Sequence, residues 1–113
     1  MILIIGGAYQ GKEEFARAQF GEDAEIITEL EKFAWECCTE DPETRREAAD
    51  EMRQTKSEWQ DKILIIRDVS QGIVPMDART RAFREMNGRL MLYLASEADE
   101  VWRVFCGIGK RIK

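Results

Sequence analysis

A chain of 113 residues is long enough to bury one hydrophobic core and too short for two domains of ordinary size, so a single domain over residues 1–113 is expected. With 44% apolar and 35% charged residues the composition is that of a packed domain and excludes a disordered tail. The formal charge of −5, from 22 acidic and 17 basic residues, supplies no field that would draw in a polyanion, and nucleic acid is not an expected partner.

No apolar run approaches the roughly 18 residues of a membrane span, and Met1–Ile5 runs into glycines without a basic leader. A cytoplasmic protein with no membrane partner is the expectation. Cys37, Cys38 and Cys106 form neither an even disulfide set nor a C-x-x-C metal spacing, and Cys37 and Cys38 read as small hydrophobes on the buried stripe of a helix. These residues include no histidine, which excludes an imidazole as general base, metal ligand or covalent phosphoryl or nucleotidyl carrier.

Ile2–Ile5 is a short apolar run ending in Gly6-Gly7, as in a strand buried on both faces of a parallel sheet. A helix is predicted from about Lys12 to Phe20, closed by Gly21. Ala24–Thr28 is a weaker strand, followed by Leu30, Phe33, Ala34, Cys37 and Cys38 at helical spacing. Asp41-Pro42 reads as an N-cap and first helical residue of a charged helix lasting to about Trp59. Ile63–Ile66 is the strongest buried-strand signal, with Asp68 just beyond its carboxyl end.

After the turn Ser70-Gln71-Gly72 and Pro75, a long helix from about Asp77 to Glu97 carries Phe83, Met86, Leu90 and Leu94 on one stripe. Val101–Cys106 is a fourth strand, with a further edge predicted at Arg111–Lys113. This alternation predicts an α/β fold: an open, mostly parallel sheet of about four to five strands with helices on both faces. Ligands of such sheets bind at the carboxyl ends of the strands, where Gly6-Gly7 and Asp68 both fall.

Residues 6–13, Gly6-Gly7-Ala8-Tyr9-Gln10-Gly11-Lys12-Glu13, satisfy G-x-x-x-x-G-K between a predicted strand and a predicted helix, without the final Ser or Thr of that P-loop pattern. The glycines let backbone N–H groups converge on phosphate oxygens at a helix N-terminus, and the Lys12 ammonium reaches the terminal phosphates. Glu13 stands where a hydroxyl would ligate Mg²⁺. At about 4 Å and an effective dielectric near 20, its repulsion of a phosphate is roughly 4 kcal/mol, about three decades of affinity. An ion between Glu13 and the phosphates, or rotation of the carboxylate into solvent, relieves this. The competing reading is that Glu13 and Glu14 complement the helix dipole in a turn that keeps its shape without a ligand.

I-R-D-V-S-Q-G-I-V-P at 66–75 resembles the N-E-V-G-x-G-I-V-P signature of the adenosylcobinamide kinase/guanylyltransferases. R-A-F-R-E-M-N-G-R-L at 81–90 is similar to that family's R-x-F-R-[DE]-x-x-G-R-L, and A-D-E-V-W at 98–102 to its last strand. The resemblance implies a P-loop NTPase-like fold and the use of ATP or GTP with Mg²⁺ to phosphorylate the aminopropanol hydroxyl of the corrinoid adenosylcobinamide. Lys12 then holds the terminal phosphates, and Asp68, with Glu13 as the second carboxylate at hand, organises the Mg²⁺.

Gly72, Val74, Pro75, Arg84 and Arg89 are implied at the substrate or at a subunit interface, and a homo-oligomer is implied as well. The family's second step, GMP transfer through a guanylylated histidine, has no histidine to use here, and the segment that bears it is expected to be missing. Asp68 for Glu, Ser70 for Gly, Met91 for Asn and Glu13 for a hydroxyl are departures that gather at the chemistry. For Arg79, Arg81, Arg84 and Arg89 the alternative is surface pairing with Asp77 and Glu85, and for Asp68 it is a plain turn. Two classes of function stand: a reduced cobinamide kinase-like phosphotransferase, or a catalytically silent nucleotide-binding or assembly protein with the same fold. A kinase for another small alcohol differs from the first only in its acceptor.

Overall fold

The computed structural model describes residues 1–7, 10–37, 59–69 and 77–113. The predicted helix of residues 42–59, apart from Trp59 at its end, lies outside them. So do Cys38 and the turn at 70–76, and of Cys37 only the backbone is described.

Among the described residues, eight elements follow in chain order: β1 (Ile2–Gly6), α1 (Lys12–Phe20), β2 (Ile26–Ile27), α2 (Leu30–Cys37), β3 (Ile63–Arg67), α3 (Ala78–Glu97), β4 (Glu100–Phe105) and β5 (Ile108–Arg111). They form one five-stranded sheet in the order β2-β3-β1-β4-β5, parallel except for β5. The two all-aliphatic runs pair in the middle, Ile4 opposite Ile65, because both of their faces can be covered only there.

Helices cover both faces, as expected. Leu3, Leu64, Ile66 and Val101 pack with Leu30 and Ala34 of α2 and Met86, Leu90 and Leu94 of α3. On the opposite face Ile4, Ile63, Ile65 and Val104 pack with Ala16 of α1, edged by Phe15, Phe20 and Trp102. The α3 stripe is Ala82, Met86, Asn87, Leu90 and Leu94, with Phe83 half-buried at its margin against Trp35. Asp77 is the N-cap of α3: its Oδ2 accepts from the Thr80 N–H at 3.0 Å. Gly21, at φ 108°, ends α1 as its sequence position suggested.

Two strands depart from expectation. The strand predicted over 24–28 is reduced to Ile26–Ile27, paired on one side to β3 at the sheet edge. The last strand begins at Ile108 rather than Arg111, because Cys106 (φ 50°) and Gly107 (φ 77°) make a two-residue reversal that folds the chain straight back on β4. In that hairpin Gly109 lies under the Phe15 ring, where a Cβ would fall 2.1 Å from the nearest ring carbon.

Candidate phosphate-binding site

The sheet brings the carboxyl ends of β1, β3 and β4 together, and the β1–α1 turn crosses them. Ala8 and Tyr9 lie outside the described residues; the remainder of the turn is held from both sides. Gly6 has no room for a side chain, since a Cβ would stand 2.5 Å from the Val104 carbonyl oxygen. Gly11, the residue before α1, has φ 77° and ψ 31°, a left-handed conformation that glycine adopts without strain. Gln10 fastens the turn to the β4–β5 hairpin: its carbonyl accepts from the Gly107 N–H at 2.8 Å and its Oε1 from the Cys106 N–H at 2.7 Å.

The Lys12 Nζ bends back to donate to the Gly7 carbonyl at 2.6 Å. Burial lowers its pKa from the ordinary 10.5; the nearby Glu31 carboxylate opposes that shift, the Arg67 guanidinium adds to it, and Glu14 opposes it. Glu13 takes the solvent-side course. Its Oε1 accepts from Arg17 Nη2 at 3.2 Å, one turn along α1, and about half of its side chain is exposed. That pairing draws the carboxylate along the helix, and its exposure to solvent screens its charge. The repulsion then approaches the aqueous value, about 1 kcal/mol at 4 Å, rather than the roughly 4 kcal/mol reckoned for a more enclosed site.

Among the described residues, two cavities flank the turn. The one on the Lys12 side, ≈ 220 Å³, is lined by Lys12 and Arg67 but also by Glu13, Glu14, Glu29 and Glu31. The other, ≈ 80 Å³, lies over Gly6 and Gly7 between Asp68 and Arg103. Asp68 is placed there by the parallel pairing, its N–H donating to the Gly6 carbonyl at 2.8 Å. Gly6, Gly7, Gln10 and Asp68 thus converge as the sequence implied. Lys12 and Glu13 share the larger cavity. Arg84 and Arg89, on α3, line neither, and Arg89 pairs with Glu85 at 2.7 Å on the helix surface. Gly72, Val74 and Pro75 lie outside the described residues.

Mg²⁺ typically takes one or two carboxylates and completes its shell with phosphate oxygens and water. Asp68, at a strand end beside the turn, suits that role, while Glu13 would have to leave Arg17 to join it. Among the described residues no group of three or more Asp, Glu, Cys or His could hold a metal unaided.

Asn87 is a residue whose role the sequence did not disclose, although it stands inside the 81–90 motif. It is 1% exposed, and its Nδ2 donates to the Arg67 carbonyl at 3.0 Å, tying α3 to the strand end that presents Asp68. Its Oδ1 is buried without a hydrogen-bond partner. Asn87→Ala is expected to destabilise by about 2 kcal/mol, through the lost hydrogen bond and the space left behind. Denaturant unfolding measures this, and a change within a few tenths of a kcal/mol would show that the tie is dispensable.

An open parallel sheet with a glycine-bounded turn between its central first strand and first helix, and an acid at the neighbouring strand end, defines the P-loop-like class of α/β proteins. Within that class, the model of the family described as cobinamide kinase / cobinamide phosphate guanyltransferase matches residues 21–112, and the chain belongs to that family. The matched stretch begins beyond the turn, so the turn stands on its own geometry. The chain is 47% identical over 51 residues to the bifunctional adenosylcobalamin biosynthesis protein CobU of Salmonella typhimurium and 45% identical over 51 residues to that of Escherichia coli. Each alignment covers 45% of this chain and 28% of the relative. No helix among the described residues is long and apolar enough to cross a membrane.

Proposed function

We propose that the protein is a cobinamide kinase-like phosphotransferase of cobalamin biosynthesis that binds ATP or GTP with Mg²⁺ at the β1–α1 turn. It would pass the terminal phosphoryl group to the aminopropanol hydroxyl of a corrinoid. The observation that carries this reading is the convergence of Gly6, Gly7, Gln10 and Asp68 at the strand ends, with Lys12 opening α1, in a chain of this family.

Phosphoryl transfer asks a protein mainly for positioning and charge neutralisation, which a small scaffold can supply. The acceptor hydroxyl oxygen bonds to the terminal phosphorus as the bond from that phosphorus to the nucleotide's bridging oxygen breaks; the nucleoside diphosphate leaves and the hydroxyl proton passes to water. Lys12 exchanges the Gly7 carbonyl for terminal phosphate oxygens, and the turn's N–H groups fix the chain of phosphates. Asp68 would hold the Mg²⁺, which would neutralise charge on the phosphates when bound. The guanylyl step is left out of the proposal, because these residues offer no histidine to carry GMP. A cytoplasmic homo-oligomer is proposed with it, in keeping with the family resemblance.

In a transfer assay with labelled ATP or GTP and cobinamide, the parent is expected to give cobinamide phosphate and Lys12→Ala none above background. Equal transfer by both would remove Lys12 from the mechanism. Binding should weaken as pH rises through the Lys12 pKa. Because that pKa lies below 10.5, the decline should begin at lower pH than an exposed lysine would give.

A second reading, a catalytically silent nucleotide-binding or assembly protein, is favoured by the Lys12–Gly7 hydrogen bond and the carboxylates around the larger cavity. Nucleotide binding without transfer to any alcohol would select it.

A further inference from the structure

The β4–β5 register sets Arg103 directly opposite Lys110, and Phe105 directly opposite Ile108. Opposed residues and those two apart along a strand share a sheet face, so these four side chains lie together on the face that carries Val101. Phe105 and Ile108 are 67% and 74% exposed, which leaves that face open to solvent. Like charges directly opposed on a ladder repel. Neither Arg103 nor Lys110 makes a side-chain hydrogen bond or ion pair among the described residues.

The place of this pair gives it a use. Arg103 lines the cavity over Gly6 and Gly7, and the hairpin that carries it is locked to the phosphate-binding turn through both hydrogen bonds to Gln10. Among the described residues, the larger cavity sets Glu13, Glu14, Glu29 and Glu31 against Lys12 and Arg67, whereas Asp68 is the sole carboxylate lining the smaller one. An anion approaching the turn therefore meets less repulsion from the Arg103 side.

We propose that the β4–β5 hairpin is an anion-binding arm of the turn, in which Arg103, backed by Lys110, takes a phosphate group of a ligand lying across Gly6-Gly7. The ligand class is a phosphate ester, either the polyphosphate tail of a nucleotide or the phosphorylated alcohol formed from it. A guanidinium fork suits such oxygens better than an ammonium does. The inference rests on the phosphate-binding reading for the position of the ligand, but not on Lys12.

The test is calorimetric titration of the full chain with inorganic tripolyphosphate and, separately, with aminopropanol phosphate. The proteins are the parent, Arg103→Gln, Arg103→Lys, Lys110→Gln and Lys12→Ala, with circular dichroism confirming that each is folded. Arg103→Gln should weaken at least one probe by about tenfold or more, Arg103→Lys should recover part of the loss, and Lys110→Gln should cost a few fold. The probe affected names the source of the phosphate. Affinity within twofold of the parent for both probes in Arg103→Gln, or no binding of either probe by the parent, would overturn the arm. Loss of binding in Lys12→Ala with Arg103→Gln unchanged would overturn it while leaving the turn as the phosphate site. The reverse pattern would keep the arm and remove the role given to Lys12.

Discussion

Gly109→Ala is expected to destabilise the protein by about 2–3 kcal/mol, a large share of the stability of a domain this size. The three nearest atoms to a Cβ at this position all belong to the Phe15 ring, at 2.1, 2.2 and 2.7 Å, so the ring must leave its seat or the hairpin must lift. Phe15 is not free to swing aside. Its ring centroid lies 5.5 Å from that of Trp102, which is also met edge-on by Phe20 at 6.1 Å, and these aromatics rim the core beneath α1. Displacing Phe15 therefore sacrifices packing on that whole side of the sheet.

The prediction includes its own control. In a Phe15→Ala background the obstacle is gone, so Gly109→Ala should cost almost nothing there, a coupling of about 2 kcal/mol in a double-mutant cycle. Additive losses in urea unfolding would show that the hairpin, rather than the ring, is what the new methyl disturbs.

The second large effect concerns binding, and it weighs two neighbours against each other. Lys12→Ala should weaken Mg²⁺-nucleotide binding by about a hundredfold, the loss of a charge-assisted contact to the phosphates. Glu13→Ser should tighten it by only about fivefold from charge alone. A Glu13 carboxylate held against the phosphates would give a gain of about three decades, but paired with Arg17 and half in solvent it exerts little of that force. A thousandfold gain in Glu13→Ser would mean that the Arg17 pairing does not survive in solution.

Much of this was legible in the sequence because the central strands are unambiguous. Ile2–Ile5 and Ile63–Ile66 are continuous aliphatic runs that only a position buried on both faces satisfies, and they proved to be adjacent, in register, with Gly6 and Asp68 at their ends. Lys12–Phe20 was bounded by glycines at both ends. The edge strand expected at Arg111–Lys113 lies instead at Ile108–Arg111; Cys106-Gly107 is not one of the common turn pairs, and the apolar Ile108 gives no sign of an exposed strand.

Three features depend on that pairing and cannot be read without it: the opposition of Arg103 and Lys110, the seat of Phe15 on Gly109, and the attachment of the hairpin to Gln10. Each is a tertiary consequence of strand pairing, which local pattern does not encode. Asn87 was hidden differently, as a polar residue on a stripe otherwise read from its apolar members. The Glu13–Arg17 pair, by contrast, follows the ordinary i,i+4 rule and could have been anticipated.

The measurement that bears most directly on the account is calorimetric titration of the protein with ATP and with GTP, with and without Mg²⁺, alongside Lys12→Ala. Micromolar binding of at least one nucleotide, dependent on Mg²⁺ and weakened about a hundredfold in Lys12→Ala, is the predicted result. Absence of binding by the parent with either nucleotide, in the presence or absence of Mg²⁺, would contradict it and leave the turn as a structural remnant of the family fold.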